Sequence, residues 1–158
     1  MQSEYGFNVA PYFANSGLFD TSSVSSPTRA PDPRRELATG FDGWKAAGVD
    51  SMVIVPRAST HLEYTDIAYV LPASRWGQAL SSVYTQAWLA KYLQHDPAAD
   101  QQLLASSFTY LEPKASGAWQ PVTLDRKDRL SFYFCSGYDV TTAAGRQADE
   151  DITGVGCQ

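Results

Sequence analysis

Between Pro33 and Gly48 the apolar residues Leu37, Phe41 and Trp44 recur at the three-to-four-residue interval of one helical face. Asp32 followed by Pro33 suits the start of such a helix, the carboxylate as N-cap and the proline at the first helical position. Gly48 suits its C-terminal cap. The pattern then switches. After Ser51 come Met52, Val53, Ile54 and Val55 without a polar interruption. An unbroken, mostly β-branched run is what a strand buried on both faces of a parallel sheet shows. Helix, short turn and buried strand predict one unit of a layered α/β fold.

A second helical period covers residues 73–94. Trp76, Leu80, Val83, Ala87, Leu89 and Ala90 mark its apolar stripe, which Tyr84, Trp88, Tyr92 and Leu93 widen. Asp96-Pro97 restarts a short helix carrying Leu103 and Leu104. From there the period shortens. Residues 107–111, 119–124 and 130–134 read as strands divided by Gly, Pro and charged turns. Two stretches have no period. Residues 14–33, rich in Ser, Thr, Pro and Asp, read as a long lid-like loop or as flexible filler. The polar segment from Thr141 onward reads as a loosely ordered tail.

Composition narrows the classes. With 44% hydrophobic and 18% charged residues, the 158-residue chain is that of a folded domain and not of a disordered one. Seventeen acidic residues against twelve basic ones give a net charge of −5. The cations cluster only at Arg34-Arg35 and Arg126-Lys127, so nucleic acid is not an expected partner. No run approaches the roughly 20 apolar residues of a membrane helix. The opening MQSEYGFN has neither the basic nor the apolar part of an export signal. Cys135 and Cys157 are too few, and too far from histidine, for a cysteine-rich zinc module. They read either as one disulfide or as two separate buried thiols. No glycine-rich loop matches a nucleotide fingerprint, and no cofactor is expected.

The residue with the clearest chemical use is His61. It lies just beyond the buried strand in Pro56-Arg57-Ala58-Ser59-Thr60-His61-Leu62-Glu63, where open parallel sheets place their chemistry. An imidazole there suits a general base, although a loop histidine held by hydrogen bonds reads the same way. A base of that kind needs an acid to orient its ring. Glu4, after an apparent strand end, is suitably placed, and it can equally be a solvated turn residue. Its rivals are Asp20, Asp32 and Asp50, of which Asp32 is better used as a cap and Asp50 stands at the wrong strand end. Metal binding through His61 and Glu63 lacks the cysteine pair that the zinc deaminase pattern requires. His95, at the end of the long helix, suits a structural role at the helix dipole.

Together, SEYGFN, GFDGWKAAGVDSMVIVPRASTHLEYTDI and LPASRWGQALSSVYTQAWLAKYL resemble the C-terminal half of α/β-hydrolases of the secreted bacterial esterase and lipase type, over about residues 1–140. The resemblance implies a partial three-layer α/β sandwich over residues 1–105, with a β-rich extension over 106–158. It implies His61 as catalytic base and Glu4 as acid, a small or lipid-like ester as substrate, and an extracytoplasmic location for the full-length family. The family's Gly-x-Ser-x-Gly elbow is absent from the chain, and Ser59 and Ser136 lack its glycine context. The expectation is therefore a hydrolase fragment that is inactive alone. The alternative is a non-catalytic α/β domain that binds a ligand or partner.

Overall fold

The computed structural model describes residues 32–35, 37–57, 59 and 75–157. In chain order it has a π-helical turn, Leu37–Phe41, running into helix α1, Asp42–Ala46, and then strand β1, Ser51–Val53. Helix α2, Arg75–Leu89, continues as a π-helical turn, Ala90–Gln94, and is followed by helix α3, Ala99–Leu104. Strands β2, Ser107–Pro113, and β3, Trp119–Asp125, lead to a 3-10 turn, Lys127–Arg129. Strands β4, Gly137–Thr142, and β5, Gly145–Asp149, close the chain. The described residues fall into two compact units, one from residues up to 59 together with 130–157, the other from 75–129.

In the first unit the three strands form an antiparallel sheet in the order β1-β4-β5. Ser51 faces Asp139 and Val53 faces Gly137, so among the described residues β1 stands at the edge of the sheet, paired with the C-terminal segment. This corrects the expected fold class. Five strands in two antiparallel sheets make the described structure β-rich, and it is not an α/β-hydrolase sandwich. The apolar run is buried for another reason. Ile54 and Val55 have already left the strand, yet both are fully buried. The Val55 N–H donates to Ser136 Oγ at 3.0 Å and its carbonyl accepts from Ser131 N. A loop with its polar groups satisfied in this way can enter a core, which a sequence run cannot distinguish from a doubly covered strand.

That core gathers Leu37, Phe41, Val53, Val55 and Phe134 around the disulfide between Cys135 and Cys157, whose Cα atoms are 6.2 Å apart. Leu37 and Phe41 bury the expected helical face, whereas Trp44 is exposed. Asp32 Oδ1 accepts from Arg34 N as the predicted cap, and Gly48 ends the helix with φ +72°. Two C-terminal expectations need correcting. Residues 131–134 form a turn in which Ser131 Oγ accepts from the N–H of both Tyr133 and Phe134. The segment read as a loose tail supplies the last two residues of β4 and all of β5. It belongs to the same sheet as β1 and is no separate extension. A glycine is needed at 137, because a Cβ there would meet Asp149 O at 2.8 Å and Glu150 Cα at 2.9 Å.

In the second unit α2 packs on α3 and on β2. Leu80, Tyr84 and Ala87 from α2, Ala99 and Leu103 from α3, and Phe108 from β2 are buried. The stripe read from the sequence holds for the middle of α2, but Leu89 and Leu93 are exposed. The helix stops at His95, which takes a left-handed conformation. Asp96 then accepts from Ala98 N with its side chain and from Ala99 N with its carbonyl, starting α3. Strands β2 and β3 form an antiparallel hairpin in register from Ser107↔Asp125 to Pro113↔Trp119. Among the described residues no helix is long and apolar enough to cross a membrane.

Candidate functional site

The hairpin sets up the one charged side chain that burial leaves without a charged partner among the described residues. Along β3 the side chains of Gln120, Val122 and Leu124 turn inward, while Trp119, Pro121, Thr123 and Asp125 stay exposed. Arg126 continues the inward parity. Its N–H donates to Ser106 O at 2.7 Å, which extends the pairing one step past the strand. The guanidinium is thereby carried inside, and the residue is only 7% exposed.

Both side-chain hydrogen bonds of Arg126 leave from Nη1, to Tyr84 Oη at 3.2 Å and to the Leu103 carbonyl at 3.4 Å. Neither acceptor carries charge. Nε is fully buried and has no hydrogen-bond partner. An unsatisfied buried donor costs about 1–3 kcal/mol, and more when the group is charged. Buried cations are therefore normally paired.

Arg126 lines a cavity of about 200 Å³. Tyr84 and Phe108 are its other buried lining residues. Gln102, Ser107 and Thr109, which are exposed, give it a polar rim, and Val83 and Ala105 complete an otherwise apolar wall. No carboxylate is among the described residues that line it. The arrangement offers an anion a fixed positive charge at the wall, a surrounding of low polarity that strengthens the attraction, and a wet mouth.

Of the residues that the sequence singles out, Glu4, His61, Glu63 and Asp20 lie outside the described residues. Asp50 accepts from Thr141 Oγ1 at 2.9 Å beside the three-stranded sheet. Ser136 is buried with its Oγ engaged by Val55 N, a structural use. Ser59 is likewise buried. Cys135, Cys157 and Asp151 converge within 4.8 Å, but both sulfurs are joined in the disulfide. Asp151 in turn accepts from the N–H groups of Val155, Gly156 and Cys157. Those three residues form a structural clasp, with no sulfur left for a metal.

In the sequence, Arg126 stands out only as half of an adjacent cation pair. The usable signal was parity: in Val122-Thr123-Leu124-Asp125-Arg126 the arginine stands in step with the two apolar residues. Comparison with protein-family models, with curated proteins and with solved structures finds no match.

Proposed function

We propose that this chain is a binding module whose second unit receives a small anion at Arg126. The observation that carries the reading is the buried guanidinium, without a charged partner, at the wall of a cavity whose described lining holds no carboxylate. An anion would supply the missing counter-charge, and the binding energy would come largely from ending that deficit.

The test is thermal melting of the intact chain in sodium acetate, sodium benzoate or sodium phosphate, against sodium chloride at equal ionic strength. A ligand that binds the native state alone raises the midpoint by mass action. At least one of the three anions should raise it for the wild type and leave Arg126→Met unmoved. No shift with any of them overturns the reading, and so does an equal shift in the variant.

A second reading keeps the hydrolytic expectation, in which His61 and Glu4 serve ester cleavage. What favours it is the sequence around the two residues, with the helix and β1 lying between them in the chain. It is tested by following the His61 imidazole by NMR through neutral pH. If the two groups are paired, Glu4→Gln lowers the titration midpoint of His61. A midpoint indifferent to that substitution removes the pair.

A further inference from the structure

In the first unit two neighbouring aromatic side chains stand outside while the chain on either side of them is buried. Phe132 and Tyr133 are 63% and 53% exposed, whereas Leu130, Ser131, Phe134 and Cys135 are at most 2% exposed. The turn that presents them is fixed from both ends. Ser131 N donates to the Val55 carbonyl and Cys135 N to the Pro33 carbonyl. Ser131 Oγ accepts from the N–H of Tyr133 and of Phe134. The backbone cannot roll to bury the two rings without breaking these bonds, and an apolar patch held outward marks a contact site.

Arg57 gives that patch its charge. Its guanidinium lies over the Phe132 ring, 3.6 Å from the centroid, and its Nε donates to the Leu130 carbonyl at 3.3 Å. Held by one face and by Nε, the group keeps Nη1 and Nη2 without a partner among the described residues. No charged residue occurs between 130 and 138 to oppose it. The complement of this surface is therefore an anionic oxygen beside an apolar medium.

Shape decides which medium. Two exposed rings between buried neighbours form a knob, and a knob has no walls to enclose a small ligand. A bilayer closes around a knob. Its interface accepts aromatic rings, and its phosphates lie at the level where an arginine beside those rings ends. The chain's net charge of −5 favours zwitterionic lipid, which offers phosphate without a net negative field.

We propose that Phe132 and Tyr133 dock the first unit on a zwitterionic phospholipid surface, the rings in the interfacial layer and Arg57 Nη1 and Nη2 on lipid phosphate. The contact is peripheral and reversible, since two rings and one cation fall short of a permanent anchor.

NMR of the full chain with phosphatidylcholine bicelles that carry a spin-labelled lipid tests this. The amide signals of Phe132 and Tyr133 should broaden first. Those of Ala143 and Ala144 should stay sharp, because β4 carries them to the opposite end of the sheet from Gly137. Co-sedimentation with phosphatidylcholine vesicles measures the strength. Phe132→Ser with Tyr133→Ser removes exposed rings only and should lower partitioning at least about tenfold. Arg57→Gln should lower it about threefold, as befits a charge pair open to water. No broadening at the knob, broadening equal to that at Ala143 and Ala144, or a double variant equal to wild type would overturn the docking site. An Arg57→Gln variant equal to wild type would overturn the phosphate contact. The broadening map is read on wild-type protein, so it stands even if a variant fails to fold.

Discussion

In the disulfide-bearing unit the inner charges meet opposite groups: Asp139 is held by Arg146, and Glu150 by Arg34 and Lys45. Asp151 is held by a run of backbone amides. The buried atoms left without partners there, among the described residues, are two neutral hydroxyls, Ser51 Oγ and Thr153 Oγ1. The helix–hairpin unit is built the other way. Lys91 and Asp100 pair near its surface, yet the most deeply placed guanidinium, Arg126, has only neutral acceptors. Burial alone therefore does not mark a functional charge. In one unit a satisfied network holds the sheet to the chain end, and in the other an unsatisfied cation faces a cavity.

The comparison breaks most visibly at the disulfide, because the first unit relies on it as the centre of its core. Replacing both cysteines, Cys135→Ser with Cys157→Ser, should lower the unfolding free energy by about 3 kcal/mol, the loop-closure value for a cross-link over some twenty residues. Urea denaturation of the variant, beside wild type with and without reductant, measures it. An unchanged midpoint would mean that the cross-link adds nothing to a core already held by Phe41, Phe134 and their neighbours.

A second break point is steric and lies in the same unit. Gly137→Ala places a methyl group against the Asp149 carbonyl and Glu150 Cα, which are backbone atoms that cannot rotate away. Strands β4 and β5 must separate, at a cost of about 2 kcal/mol. Melting of Gly137→Ala beside a control at Gly43, where an added Cβ meets nothing within 4 Å, isolates the effect. Equal losses in the two variants would show helix and strand propensity at work and no close approach.

What the sequence revealed follows the range of the interactions concerned. The Asp32 cap, the Leu37 and Phe41 face, the Gly48 stop and the Asp96 restart all depend on neighbours within a few positions, and all are found. The hairpin of β2 and β3 announces itself by alternation, as Phe108 and Tyr110 turn inward opposite Leu124 and Val122. The failures are long-range. Met52 to Val55 carries no record of its partner, which is Tyr138 and its neighbours some 85 positions away. The same run fits a parallel sheet or an antiparallel edge that continues into a packed loop. Gly145 to Asp149 is almost wholly exposed and has no apolar alternation to betray a strand. It is held by main-chain pairing and by Arg146, which reaches Asp139 and the Gly48 carbonyl. The candidate site was half legible: parity turned Arg126 inward, but the lack of a counter-charge depends on which residues fold around it.

The smallest expected effect sharpens the contrast through pH. In the first unit, the hydrogen bond from Lys45 holds the Glu150 carboxyl below its ordinary value of 4.5; burial opposes this and Arg34 reinforces it. For Asp151, burial pushes the carboxyl up, but the amides of Gly156, Cys157, Val155 and Gly154 outweigh it and leave it below 3.8. Both groups are thus more acidic folded than unfolded. Their contribution is complete above the unfolded values and fades as pH falls from about 4.5 through the lower folded ones. Stability of the first unit should drop across that acid window. Glu150→Gln should flatten part of the drop and lower stability slightly at neutral pH, since Arg34 and Lys45 are each more than a third exposed and water screens them. Asp151→Asn should lower neutral-pH stability further, because the amide has only one acceptor oxygen to offer where Oδ1 and Oδ2 share the Val155, Gly156 and Cys157 donors. Urea midpoints from pH 3 to 7 measure both. An acid limb left unchanged by either substitution would mean that the charges of this unit are ornaments on a core held by Leu37, Phe41 and the disulfide, and the contrast with Arg126 would then rest on the cavity alone.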